Sequence, residues 1–165
     1  MVEGSPRSRG SASWVRMAGD PDDIERGDAC CPCGGVPAGA SFDACCGPLV
    51  RGEVLATRAE QLMRSRYTAY AVSAGDHLFR TWHARSRPTS VEPDPWIRWV
   101  GLEVLGVEGG EEDDEEGIVE FLAHWTAGEG STRQTGELRE RSLFVRRAGR
   151  WMYLGLAEAP PTGTR

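Results

Sequence analysis

The chain has 165 residues, 39% of them hydrophobic, with six tryptophans and a formal net charge of −6, enough for one ordinary domain plus a small appendage. No apolar run approaches the roughly 20 residues that cross a bilayer, which argues against a membrane protein. The run Glu111-Glu112-Asp113-Asp114-Glu115-Glu116 carries six negative charges and the remainder balances to about zero, so the acidity is local and argues against extensive nucleic-acid binding.

Residues 1–28 are rich in Gly, Ser, Arg, Asp and Pro, with only Trp14, Val15, Met17 and Ile24 to bury. Such a segment cannot offset its ordering entropy and reads as a disordered tail. Over residues 29–52 the chain places Cys31-Pro32-Cys33 and Cys45-Cys46-Gly47 within a short Gly-rich span. Four soft thiolates at that spacing suit a tetrahedral zinc knot with Cys31, Cys33, Cys45 and Cys46 as ligands. The competing reading is a pair of disulfides, which the adjacent Cys45 and Cys46 make awkward. The first thirty residues hold no apolar h-region, so a reducing, cytoplasmic setting is expected. Cys30 is either a spare thiol or a competitor of Cys31 for the metal.

Residues 53–158 read as an α+β domain. Thr57-Arg58-Ala59-Glu60 has the form of a capping box, which predicts a helix start. On the helical wheel Ala59, Met63, Tyr67, Tyr70 and Ala74 make one apolar stripe, with Arg66 at its edge and Arg64 pointing away. Gly75 is expected to end this helix, and Asp76 to cap a shorter one carrying Leu78, Phe79 and Trp82. Pro88, Pro93 and Pro95 predict an irregular connector. The period then changes to two, and Val100–Val107, Ile118–Thr126, Leu138–Arg146 and Trp151–Ala157 read as four strands joined by hairpin turns. Helices followed by a meander predict helices packed on one face of a curved antiparallel sheet. Residues 159–165 are expected to fray.

The cysteine segment resembles the SEC-C motif, the zinc-binding element at the tail of the translocation motor SecA. Taken together, Cys31-Pro32-Cys33-Gly34, Cys45-Cys46-Gly47-Pro48, Leu62-Met63-Arg64-Ser65-Arg66-Tyr67-Thr68-Ala69-Tyr70, Thr81-Trp82-His83, Glu140-Arg141-Ser142-Leu143-Phe144-Val145 and Gly149-Arg150-Trp151 resemble the YchJ family of bacterial proteins. The resemblance spans residues 30 to about 157. It implies a nuclear transport factor 2-like (cystatin-like) cone preceded by a small zinc knuckle. Some members carry a second cysteine motif at the C-terminus; this chain has none. The family has no established activity, and the fold does not supply one.

Four cysteines saturate a tetrahedral ion, so the expected zinc is structural, or presents a docking surface for a protein partner. Arg66 beside an apolar stripe needs a partner, and the expectation is an ion pair with Glu140; the sharper reading turns Arg66 toward an anionic ligand. Leu138, Glu140, Ser142 and Phe144 share one strand face and read as a pocket wall, with Glu140 a candidate general base. Arg66, Tyr67, Trp82, His83, Glu140 and Ser142 are therefore the candidate pocket residues. His77 and His124 carry less weight. The leading expectation is a binding module for a partner or small ligand, with homodimerisation open. The alternatives are a small-molecule enzyme using the cone, and a ribosome or RNA contact through the knot, Arg51, Arg58 and the N-terminal arginines.

Overall fold

Period-two segments separated by turn residues can close a meander without crossovers, and the sheet has that topology. The computed structural model describes residues 27–158, and in it β1 (Ile97–Gly109), β2 (Glu116–Ala127), β3 (Gln134–Arg147) and β4 (Arg150–Leu156) pair antiparallel in sequence order. Each strand extends past its sequence-read bounds or matches them closely. Register shifts between Trp99 and Gly101, between Val104 and Gly106, and between Leu143 and Phe144 add residues to one strand and so bend the sheet. The expected tail lies outside the described residues except for Gly27 and Asp28, as does the frayed end over 159–165.

Among the described residues three helices precede the sheet: α1 (Gly47–Val50), α2 (Ala59–Ala71) and α3 (Gly75–Arg80). The inner face of the sheet supplies Val119, Phe144 and Trp151 to a core with Ala59, Leu62 and Met63 of α2. Fully burying side chains such as Leu62 and Phe144 contributes about 2–3 kcal/mol each. Close approach at the start of α2 depends on Gly110, whose φ of +80° suits glycine and where an added Cβ would come within 2.6 Å of the Ala59 Cβ. The Ala59 amide donates to the Gly110 carbonyl at 2.9 Å, tying the helix to the β1–β2 turn.

Several local expectations are corrected. The capping box does not form: the cap position is Arg58, without a side-chain cap, and the Thr57 amide donates to Gln61 Oε1 at 2.8 Å while Glu60 is held by Arg64. Helix α2 stops at Ala71 because Ser73 turns left-handed, and Gly75 opens α3 instead of closing α2. In α3 it is His77 that is buried beside Leu78, whereas Phe79 is exposed and Trp82 lies beyond the helix. Leu138 is also exposed, because the core face of β3 has run past the helices at that point. The apolar stripe on α2 underestimates its burial: Leu62, Ser65, Arg66, Thr68 and Ala69 are buried too, since the helix contacts the sheet, the cysteine segment and α3.

Candidate metal centre and the polar cluster around Arg66

Residues 29–42 fold into a small hairpin, with the Cys31 amide donating to the Ala40 carbonyl at 2.9 Å and the Phe42 amide to Ala29 at 2.8 Å. Gly35, with φ of +80°, passes so close to Ala40 that an added Cβ would meet the Ala40 nitrogen at 2.4 Å. This fold brings Cys31 and Cys33 against Cys45 and Cys46, just before α1. The sulfurs of Cys33 lie 3.5 Å from Cys31, 3.7 Å from Cys45 and 3.6 Å from Cys46, and Cys45 lies 3.8 Å from Cys46. With metal–sulfur bonds of about 2.3 Å, a tetrahedral site has sulfur–sulfur edges of about 3.8 Å, so the four side chains stand close to the spacing such an ion requires. Cys30 is not in the set; its sulfur turns to the Cys31 carbonyl at 3.8 Å.

Thiols this close cannot titrate independently. Hydrogen bonds from Cys33 first, then Cys45 and Cys46, pull Cys31 well below the ordinary thiol range, and the bonds Cys46 makes, first with Cys31, push its own pKa up. A dication taking four thiolates removes that conflict. The knot is also part of the protein's core: Cys31, Cys33, Phe42 and Cys46 cluster with Tyr67 of α2 and Ala123 of β2. Arg64, pointing away from the helix stripe, donates to the Cys33 carbonyl at 3.2 Å and to Glu60 at 2.8 Å.

Of the pocket candidates, Tyr67 belongs to the knot side. Its ring meets Trp99 edge-on at 6.1 Å, and burial raises its pKa. Arg66, Trp82, Glu140 and Ser142 gather on the other side of α2, joined by Tyr153. Arg66 is 6% exposed. Its Nη1 donates to the Leu78 carbonyl at 2.9 Å and to Thr81 Oγ1 at 2.8 Å, and its guanidinium carbon lies 5.0 Å from the Trp82 ring centre and 4.6 Å from that of Tyr153. Loss of hydration lowers its pKa to about 10. The expected ion pair with Glu140 is not formed: no carboxylate of the described residues lies within 4.0 Å of Arg66. Glu140 Oε1 instead accepts from Ser142 Oγ at 2.5 Å and from the Tyr153 hydroxyl at 3.1 Å. Tyr153 links the two groups in place of a direct contact, its ring against the guanidinium and its hydroxyl on Glu140.

Segment 81–83 runs along the free edge of β4: the Tyr153 amide donates to Thr81 O at 2.9 Å, and the His83 amide to Tyr153 O at 2.8 Å. That pairing holds Trp82 against Tyr153, ring centres 4.9 Å apart and nearly perpendicular. His83 stays at the margin, its Nδ1 accepting from the Arg85 amide at 3.2 Å. The sequence reading gave His77 little weight, yet the residue is 2% exposed and its ring lies 2.9 Å from Ser65 Oγ, with Arg80 2.9 Å from its other nitrogen. Burial lowers its pKa to about 3, helped by Arg80 and Arg66, so the ring is neutral. Tyr153 was missed, although it shares the strand face of Trp151 and period two would have placed it inward.

A cleft of about 710 Å³ lies elsewhere, between Pro32 and Gly34 of the knot and the ends of β1, β2 and β3. Trp125, Thr126, Thr135 and Gly136 line it, and at its rim His124 sits 2.9 Å from Glu103 and 3.4 Å from Glu137. None of the six sequence-read pocket residues lines it.

Residues 58–155 match the family model described as YchJ, middle NTF2-like domain. A UPF0225 protein of Chromobacterium violaceum is 42% identical over 130 residues, covering 76% of this chain and 90% of that protein. One from Methylibium petroleiphilum is 45% identical over 132 residues, covering 79% and 90%. Among solved structures, a SEC-C motif containing protein from Rhodopseudomonas palustris aligns with a TM-score of 0.63 at 32% identity, covering 79% of this chain and 98% of that one. A further SEC-C motif containing protein, from Psychrobacter arcticus, aligns with a TM-score of 0.59 at 24% identity over 82% of each chain, a likeness of fold alone.

Proposed function

The chain belongs to the YchJ family, with a nuclear transport factor 2-like domain, and from that premise we propose that it is a zinc-anchored binding protein whose metal is structural. The observation that carries this reading is the donor set: four cysteine sulfurs at tetrahedral spacing, three of them no more than 2% exposed. Zinc held by Cys31, Cys33, Cys45 and Cys46 supplies cross-linking and no open position for a reacting water. Its effect reaches the cleft, because Pro32 and Gly34, which flank the ligands, form one wall. The cleft's size suits a small molecule or a short segment of a protein partner. Arg51 and Arg58 are engaged by Asp43, Glu53 and Glu111, which favours this reading over a nucleic-acid contact. A thiolate site needs a reducing compartment, which supports a cytoplasmic location.

Native mass spectrometry of freshly purified protein tests the proposal. The expected result is one zinc per chain, lost together with any retained cleft occupant when a chelator is added. Protein that is metal-free without chelator, or that carries disulfides among these cysteines, overturns it.

A further inference from the structure

A buried guanidinium without a counter-ion is costly, and in this chain it lies next to a second donor in the same position. Arg66 spends both hydrogens of Nη1 on Leu78 O and Thr81 Oγ1. Its Nε and Nη2 edge has no acceptor among the described residues. Trp82, whose ring adjoins that guanidinium, has a buried indole Nε1–H that also lacks an acceptor. A buried indole N–H without an acceptor beside a cationic edge that keeps a narrow opening to solvent describes a place suited to an anion. The free Nε/Nη2 edge presents two parallel N–H groups, the fork that matches the two oxygens of a carboxylate.

The surroundings narrow the class. Trp82 and Tyr153 provide aromatic walls on the guanidinium. Across Tyr153, Glu140 uses only Oε1, for Ser142 and Tyr153, which leaves Oε2 as a spare acceptor, and Tyr70 lies near enough to feel both Arg66 and Glu140. A bare anion would be repelled there, whereas an anion that also offers a donor meets both charges.

We infer that the cluster of Arg66, Trp82, Tyr153 and Glu140 is a binding site for a small organic acid that carries a hydrogen-bond donor beside its carboxylate, a hydroxy acid or an amino acid. The carboxylate sits on the Nε/Nη2 edge of Arg66 with the Trp82 indole, and the donor reaches Glu140. This site lies apart from the cleft beside the knot and does not depend on the metal reading.

The test is a titration of the metal-loaded full chain, following the Trp82 indole resonance by ¹H–¹⁵N correlation, assigned with Trp82→Phe. The probes are acetate, glycolate and inorganic phosphate. Glycolate should move the Trp82 indole saturably and bind about tenfold tighter than acetate, the worth of one hydrogen bond to a charged group. Glu140→Gln should bring glycolate down toward acetate, and Arg66→Met should abolish both responses. The wild-type titration stands even where a variant fails to fold. An indole resonance unmoved by all three probes overturns the site, as does an unchanged response in folded Arg66→Met. Phosphate binding tighter than either acid, or acetate equal to glycolate, overturns the ligand class.

Discussion

Arg64 and Arg66 stand two residues apart on α2 and meet opposite fates. Arg64 faces the knot, keeps part of its side chain in water, pairs with Glu60 one turn earlier and closes on the Cys33 carbonyl. Arg66 faces α3 and β4, is almost wholly buried, and has backbone, hydroxyl and aromatic rings for company but no carboxylate. A helix places residues 100° apart per step, so two residues suffice to reach opposite sides. One side is organised by four sulfurs that a single ion can satisfy completely. The other holds polar groups left with capacity to spare, which is the ordinary condition of a binding site.

The largest expected effect breaks the knot side. Cys33→Ser, or chelation, should cost about 4 kcal/mol or more, since structural zinc binding is folding free energy. Because Tyr67 and Ala123 share the knot's cluster, the loosening should extend to the Trp99 environment while the Trp82–Tyr153 contact persists. Indole resonances of the two tryptophans check this, and simultaneous collapse of both would show that the two sides are one cooperative unit.

Acid should act on the Arg66 side through His77. Its folded pKa of about 3 lies below the usual histidine value, so the unfolded chain binds a proton that the folded chain refuses. Stability from this group is whole above about pH 6.5 and falls as pH drops toward 3, with a slope of up to about 1.4 kcal/mol per unit. Denaturant melts of wild type and His77→Gln across that window should diverge as wild type loses stability faster. Parallel curves would remove His77 from the account.

Arg66→Met comes next, with an expected loss of about 1–3 kcal/mol from the stranded Leu78 carbonyl and the lost ring contacts, partly offset by removal of a desolvated charge. Glu140→Gln is expected to couple to it by less than about 1 kcal/mol, because Tyr153 separates the two groups. A double-mutant cycle with strong coupling would restore the direct ion pair. The smallest effect belongs to Glu60→Gln, about 0.3–0.5 kcal/mol for an i,i+4 pair near the surface, measured by the same melts.

The gathering of Cys31, Cys33, Cys45 and Cys46, the order of helices and strands, the place of Arg66 at the edge of an apolar stripe and the inward run of Glu140, Ser142 and Phe144 were all legible in the sequence, because spacing and period follow directly from covalent geometry. Tertiary structure decided what each polar group meets. Arg66 is held by the Leu78 carbonyl, and every residue carries a carbonyl, so no letter in the sequence marks that acceptor. Glu140 is intercepted by Tyr153 from another strand, and His77 finds Ser65 across a helix junction whose turn depends on Ser73 being left-handed. Cys30 is set apart from Cys31 by the direction of one side chain in a hairpin bridged to Ser41. Residue type determines which chemistry a chain can perform, and the packing of distant segments determines which groups are left free to perform it.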